Sequence, residues 1–495
     1  MSFERCDKAF IDKYIEKTNA LIDEIENSPT AVEVTGTKYY VAANGSDEND
    51  GLSPETPWQT VGKVNSAKLK YGDGVFFRRG DSFCQTYHLS ARCGVTYSAY
   101  GEGKKPRIVG SADASGKDKW IPTEYEKIYA FSEKIPAERD VGNIIFDGGR
   151  AWGIQIQKTK GGTRHEIGRV FNGLEWFDTT VGKFNDHGSL DNNLEFYHDW
   201  DTETLYLYCK DGNPGDVFSS IELSDKGFCM HVGNSFDVTV DNLEMYGGTF
   251  GISAGSIVNL TVQYCTFKWI GGAIQGKYIF GRDYGTRYGN AVESYGSSDG
   301  FTIHHCYATQ VYDCCWTVQD AGSAVMRNIK MHDNVTEYCN TGLEVWQNGG
   351  LIENMELYNN HTRFNGYGWS HQRVNKDANF FYGASPYANV YRNCSIHDNI
   401  NYLSQNYALL ARPAGPKQYN FNNNIYIMEE GTLLGGIAKD PATGEGEMTD
   451  YEYTKENIER FQADGFEPGT KYYICEKSPY ADDMYTLCLP IDEGK

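Results

Sequence analysis

The sequence predicts an all-β solenoid built from short parallel strands stacked coil on coil. Two observations predict it. The first is a recurrence between about 235 and 427, in which an apolar residue is followed three positions later by Cys or Asn. The pairs are Val262/Cys265, Ile303/Cys306, Met331/Asn334, Leu357/Asn360, Val390/Asn393 and Phe421/Asn424, with Val240/Leu243 opening the series. The second is composition: 54 glycines, 36 tyrosines and 14% aromatics, with little helical periodicity, favour many strands and turns. A buried Asn at each corner can bond the backbone of neighbouring coils, and Cys is small enough for the same slot.

Taken in order, residues 1–30 hold one amphipathic helix. Phe10, Ile11, Tyr14, Ile15, Leu21, Ile22 and Ile25 mark its apolar face, and Asn27-Ser28-Pro29 ends it. Residues 31–111 read as the opening coils, with short strands in "KYYVAANGSDENDGLSPETPWQTVGKV", "YGDGVFFRRGDSF" and "VTYSAYGEGKKPRIVGS". Residues 112–230 break the rhythm, and "NNLEFYHDWDTETLYLYCKDGNPGD" reads as an antiparallel hairpin inside an inserted β subdomain. The main coils follow over 231–427, including a long loop at 271–289. Residues 428–495 lose the repeat. "TKENIERFQADGF" suits a short helix and "KYYIC" a strand, the kind of cap that closes a solenoid end.

The three opening segments resemble those of right-handed parallel β-helix proteins of the pectate-lyase-like type, many of which act on carbohydrates. The resemblance implies a right-handed parallel β-helix with an N-terminal helix and an inserted antiparallel β subdomain.

Glu293 in "NAVESYG" and Glu344 in "TGLEVWQ" match position by position, with "CCWTVQD" between them and "YGWSHQR" after. Read as one face of four successive coils, these segments gather Glu293, Glu344, Trp316, Gln319, Asp320, Trp346, Trp369, His371 and Arg373, with Asp313 at a turn. Simpler readings exist: ion pairs of the glutamates with Arg287 or Arg373, turn roles for Asp313 and Asp320, a surface histidine at 371, and core positions for Trp316 and Trp369. Their concentration on one strip favours a sugar site, where aromatic faces meet pyranose rings and polar groups meet hydroxyls. Glu293 and Glu344 fall two coils apart, roughly 9.6 Å from twice the strand spacing, near the inverting separation. Asp313 or Asp320 with Glu344 falls one coil apart, near the retaining one.

"GNAVES", "VYDCCWTVQ" and "TGLEVWQ" also resemble β-helix glycoside hydrolases, as does the 192–216 hairpin. The likeness covers about 38–111 and 190–427. It implies a glycosidase that cleaves a neutral plant-type oligosaccharide or polysaccharide with paired Asp/Glu on neighbouring coils. Glu344 is the first candidate, Glu293 and Asp313 its partners, and Asp320 in reserve. Trp316, Gln319, Trp346, Trp369, His371 and Arg373 are the substrate-binding candidates. The polygalacturonase pattern of clustered aspartates with Gly-His-Gly and Arg-Ile-Lys is absent, which argues against pectin hydrolysis of that type. Two rival readings stay open. One is a polysaccharide lyase or uronate epimerase using His371, Arg373, Arg282 and Arg287. The other is a non-catalytic carbohydrate-binding solenoid.

Charge bounds the partners. With 45 basic and 67 acidic residues the formal charge is −22, which argues against nucleic acid or an anionic membrane. Thirteen cysteines without metal-ligand spacing read as buried free thiols. With no apolar leader at the N-terminus, the expected setting is the cytoplasm. No cofactor is expected. Asp-rich turns such as "NGSDENDG" at 44–51 are candidates for a structural calcium, with solvated turn residues the simpler reading. The oligomeric state is not legible.

Overall fold

The computed structural model describes residues 3–84, 88–157, 169–178, 184–225, 227–275, 286–347, 349–373, 378–384, 390–412, 419–438, 448–463 and 465–480. The architecture is largely all-β, with extensive parallel sheets and an N-terminal helix, in keeping with a β-helix. Three parallel ladders run through it. The first stacks Val292–Tyr295, Cys314–Asp320, Thr341–Gln347, Phe381–Ala384 and Leu409–Arg412. The second stacks Ser298–His304, Val325–His332, Leu351–Tyr358 and Val390–His397. The third stacks Thr266–Ile270, Tyr307–Val311, Val335–Glu337, His361–Arg363, Ile400–Tyr402, Ile425–Glu429 and Lys471–Cys475.

Strand alternation turns every second residue inward. In the first ladder Ile252, Val292, Trp316, Leu343, Phe381 and Leu409 stack in register, all fully buried. They belong to one core that runs from Val41 to Ile474. The alternate column, carrying the glutamates, faces outward.

The corner ladder is present, with one correction. Asn334 Oδ1 accepts from Cys306 N at 2.9 Å, Asn360 Oδ1 from Asn334 Nδ2 at 3.0 Å, Asn399 Oδ1 from Asn360 Nδ2 at 2.9 Å, and Asn424 Oδ1 from Asn399 Nδ2 at 3.1 Å. The rung expected at Val390/Asn393 is Ile396/Asn399. Asn393 instead sits at an exposed bend within its strand, in left-handed backbone (φ 52°), and donates to Asn354 there. Two asparagine stacks run side by side, and spacing alone cannot tell the buried from the exposed one. Asn334→Leu is expected to cost ~1–3 kcal/mol by stranding Cys306 N and Ile303 O. A denaturant melt checks this, and a change under ~0.5 kcal/mol would mean the rung carries little.

The helix Lys8–Glu26 starts at Asp7, whose side chain accepts from Phe10 N. It packs along the third ladder, not over a sheet end. Thr18 bonds His361 and Tyr402, and Arg363 reaches Ile15 O. Arg363 also forms a buried ion pair with Glu337. The insertion forms antiparallel sheets, including the expected hairpin of Glu195–Asp199 with Thr204–Tyr208. It is spliced between neighbouring coils, since Thr96 and Tyr97 pair directly with Thr239 and Val240. Lys455–Ala463 is helical, and Lys471–Cys475 pairs with Phe3–Arg5 at the edge of the third ladder. Among the described residues the cysteines are free and mostly buried. No helix there is long and apolar enough to cross a membrane.

Candidate active site

Stacking brings Glu293 and Glu344 into one column. Glu293 pairs in register with Thr317, and Thr317 with Glu344. The two Cα positions are therefore two strand spacings apart, about 9.6 Å. Both glutamates are buried, at 8% and 9% exposure, yet lie on the outward column.

Each is held differently. Asn290 Nδ2 donates to Glu293 Oε2 at 2.7 Å, while Asn290 Oδ1 accepts from Cys314 N. Burial pushes the Glu293 carboxyl up to about 7, the Asn290 bond opposes this, and the nearby Asp313 charge adds to it. Glu344 Oε2 accepts from Thr317 Oγ1 at 2.7 Å and from Gln319 Nε2 at 2.5 Å, donors that suit a charged oxygen. Trp346 and Gln319 are register partners on the same outward side, both half-buried, and Tyr382 follows Glu344 in its column.

Asp313 is close enough to influence Glu293 and forms an ion pair with Arg373. Asp320 is not brought to the pair. It lies at the far end of its strand, and its carboxylate accepts from Gly322 N and Ala324 N in a turn. Trp316 points inward at 0% exposure, edge-on to Phe267, so it cannot touch a substrate.

The segment 367–373 is not a fourth strand. Gly366 and Gly368 take φ of 84° and 68°, and Gly368–Gln372 forms a short 3-10 helix. The strand in register is Phe381–Ala384. Trp369 is fully buried in a cluster with Trp152, Trp269 and Tyr312, against the inserted subdomain. His371 is buried too: its Nε2 accepts from Phe171 N at 3.0 Å and its Nδ1 bonds Gly368 O. Arg287 donates to the Gly272 and Gly142 carbonyls and lies over the Tyr312 ring. Arg282 lies outside the described residues.

The sequence reading missed Asn290, Thr317 and Tyr382. The first two stood inside the matched segments. Asn290 is three residues before Glu293, and Thr317 is what the register places between the glutamates. Tyr382 lies one segment beyond 367–373, which by its composition offers itself as the next strand of the column. At 44–51, Asp47 accepts from Gln59 N, Thr60 N and Thr60 Oγ1, and Asp50 from Leu52 N and Thr56 Oγ1. Those carboxylates serve the turn.

No family model matches the chain. It is 34% identical over 95 residues to a lacto-N-biosidase from Bifidobacterium longum subsp. longum, a match spanning 17% of this chain and 6% of that protein. In fold it is similar to a GH136 lacto-N-biosidase from Eubacterium ramulus, at 12% identity and a TM-score of 0.38, covering 89% of this chain and 67% of that one. It is also similar to XylC in complex with xylose, at 14% identity and a TM-score of 0.44, covering 84% and 74%. These are carbohydrate-active proteins, at low identity.

Proposed function

We propose that this protein is a glycoside hydrolase acting on a neutral oligosaccharide or polysaccharide, with Glu293 as general acid and Glu344 as general base. The observation that carries this reading is the outward column Glu293–Thr317–Glu344. It carries two carboxyls held by different hydrogen bonds on Cα positions two strand spacings apart, which favours inversion of the anomeric centre over retention. On this reading Glu293 gives its proton to the glycosidic oxygen as the C1–O bond breaks. Glu344 takes a proton from a water that attacks C1 from the opposite face. Trp346 and Tyr382 supply aromatic contact, and the Asp313–Arg373 pair sets the local charge. The right-handed β-helix serves as a rigid frame for these groups. The 95-residue likeness to a lacto-N-biosidase supports a glycan substrate. Plant-type glycans stay within the class proposed.

The lyase reading is less well served. His371 has both ring nitrogens engaged, Arg373 is paired, and Arg287 is buried against carbonyls. The net charge of −22 also disfavours polyuronates. A panel of aryl glycosides, plant-type and host-type, tests hydrolysis. NMR of the first-formed sugar should show the inverted anomer. Near-ultraviolet absorbance on uronate polymers should stay flat. Binding without turnover across the panel would favour a non-catalytic solenoid.

The Glu293 carboxyl gives a pH prediction. Its folded value, about 7 against an ordinary 4.5, keeps it protonated below neutrality. Turnover is expected to fall as pH rises through about 7. Stability follows the same sign. The contribution is fully present below 4.5 and is lost as pH rises to about 7, amounting to ~3 kcal/mol. Glu293→Gln should flatten that stretch of a stability-versus-pH curve. An unchanged slope would mean that Glu293 titrates normally.

A further inference from the structure

On the opposite side of the second ladder, stacking assembles a group of donors unrelated to the glutamate column. His304 and His332 are register partners with rings 5.1 Å apart and nearly parallel. Each is followed by a corner residue in left-handed backbone, His305 (φ 50°) and Asp333 (φ 54°). The corner residues are therefore also neighbours, one strand spacing apart. One donor atom from each of His305, His332 and Asp333 lies within 4.8 Å of the other two, and all three residues are half-buried. We infer that these three residues bind a divalent transition-metal ion of the zinc class.

The hydrogen bonds fix which nitrogens have lone pairs to offer. Gln263 Nε2 donates to Asp241, so Gln263 Oε1 accepts from His304 Nε2 at 3.1 Å. A neutral His304 then accepts at Nδ1, 3.0 Å from His305 Nδ1, which makes His305 the donor there and leaves its Nε2 lone pair unused. His332 Nδ1 and Asp333 Oδ2 stand 2.7 Å apart across a shared proton, so an ion that takes the place of that proton meets both residues at once. Two imidazoles and a carboxylate suit zinc. Donors about 2.0–2.2 Å from an ion can stand no more than ~4.4 Å apart, so small side-chain rotations close the site. Asp333 also lines a cavity of ≈ 380 Å³ beside the N-terminal helix, with Glu24 and Asp398, which gives an ion a route in.

The solenoid supplies its own control. His397 and Asp398 repeat the His-Asp bond at 2.7 Å. The register neighbours of His397 are Tyr358 and Asn422, and the residues that follow them are Asn359 and Asn423, so the corner positions beside Asp398 carry no imidazole. Zinc is titrated calorimetrically into chelator-stripped protein. One equivalent is expected to bind and to raise Tm. Binding should be lost in His305→Ala and in His332→Ala and kept in His397→Ala, with circular dichroism confirming that each folds. Cobalt in place of zinc should give a tetrahedral-type visible spectrum in wild type alone of the first three proteins. No uptake by wild type, uptake surviving both His305→Ala and His332→Ala, or equal loss in His397→Ala would overturn the site.

Discussion

Glu344→Gln is expected to lower turnover by ~10²–10⁴ while leaving Tm and substrate affinity nearly unchanged. Gln keeps the size of the side chain and an acceptor oxygen for Thr317 and Gln319, but it cannot take a proton from water at neutral pH. Arg373 pairs with Asp313, and Arg287 donates to backbone carbonyls. The two cations first considered as ion-pair partners for Glu344 therefore keep their own partners in the variant. Steady-state kinetics beside a thermal melt check the expectation. A large fall in Tm would make Glu344 a structural group. Full activity would move the base role elsewhere on the strip, with Asp313 next.

The second large effect concerns Trp316, expected from the sequence to line the substrate cleft and found in the core. Trp316→Ala is expected to cost ~3–5 kcal/mol, because the indole fills the inward column between Val292 and Leu343 and packs edge-on against Phe267. Trp316→Phe should cost much less. It keeps most of the buried ring, and the indole N–H has no acceptor among the described residues. Chemical denaturation of the two variants measures this. A mild loss in Trp316→Ala together with a raised KM would return Trp316 to the cleft.

The contrast between Trp316 and Trp346 shows where sequence reading reached its limit. Both sit in matched segments beside a glutamate column. Trp346 is two residues from Glu344 and shares its face by alternation. Trp316 is one residue from Thr317 and so faces inward. Which residue of "CCWTVQD" aligns with Glu344 decides everything, because a one-residue slip reverses every side chain.

The sequence by itself determined the repeat, the outward pairing of Glu293 with Glu344, the N-terminal helix and the hairpin within the insertion. These depend on local pattern and on coil-to-coil spacing, which a stacked solenoid converts directly into distance. Only the tertiary structure decided the rest. It placed Asn399, not Asn393, in the buried ladder, and it wound 368–372 into a 3-10 helix that buries Trp369 and His371 under the insertion. It also tied Asp313 to Arg373 and turned Asp320 into a cap. The physical reason is common to all of these. Each depends on what packs against a segment from a distant part of the chain, and that contact outweighs the local preference that the sequence displays.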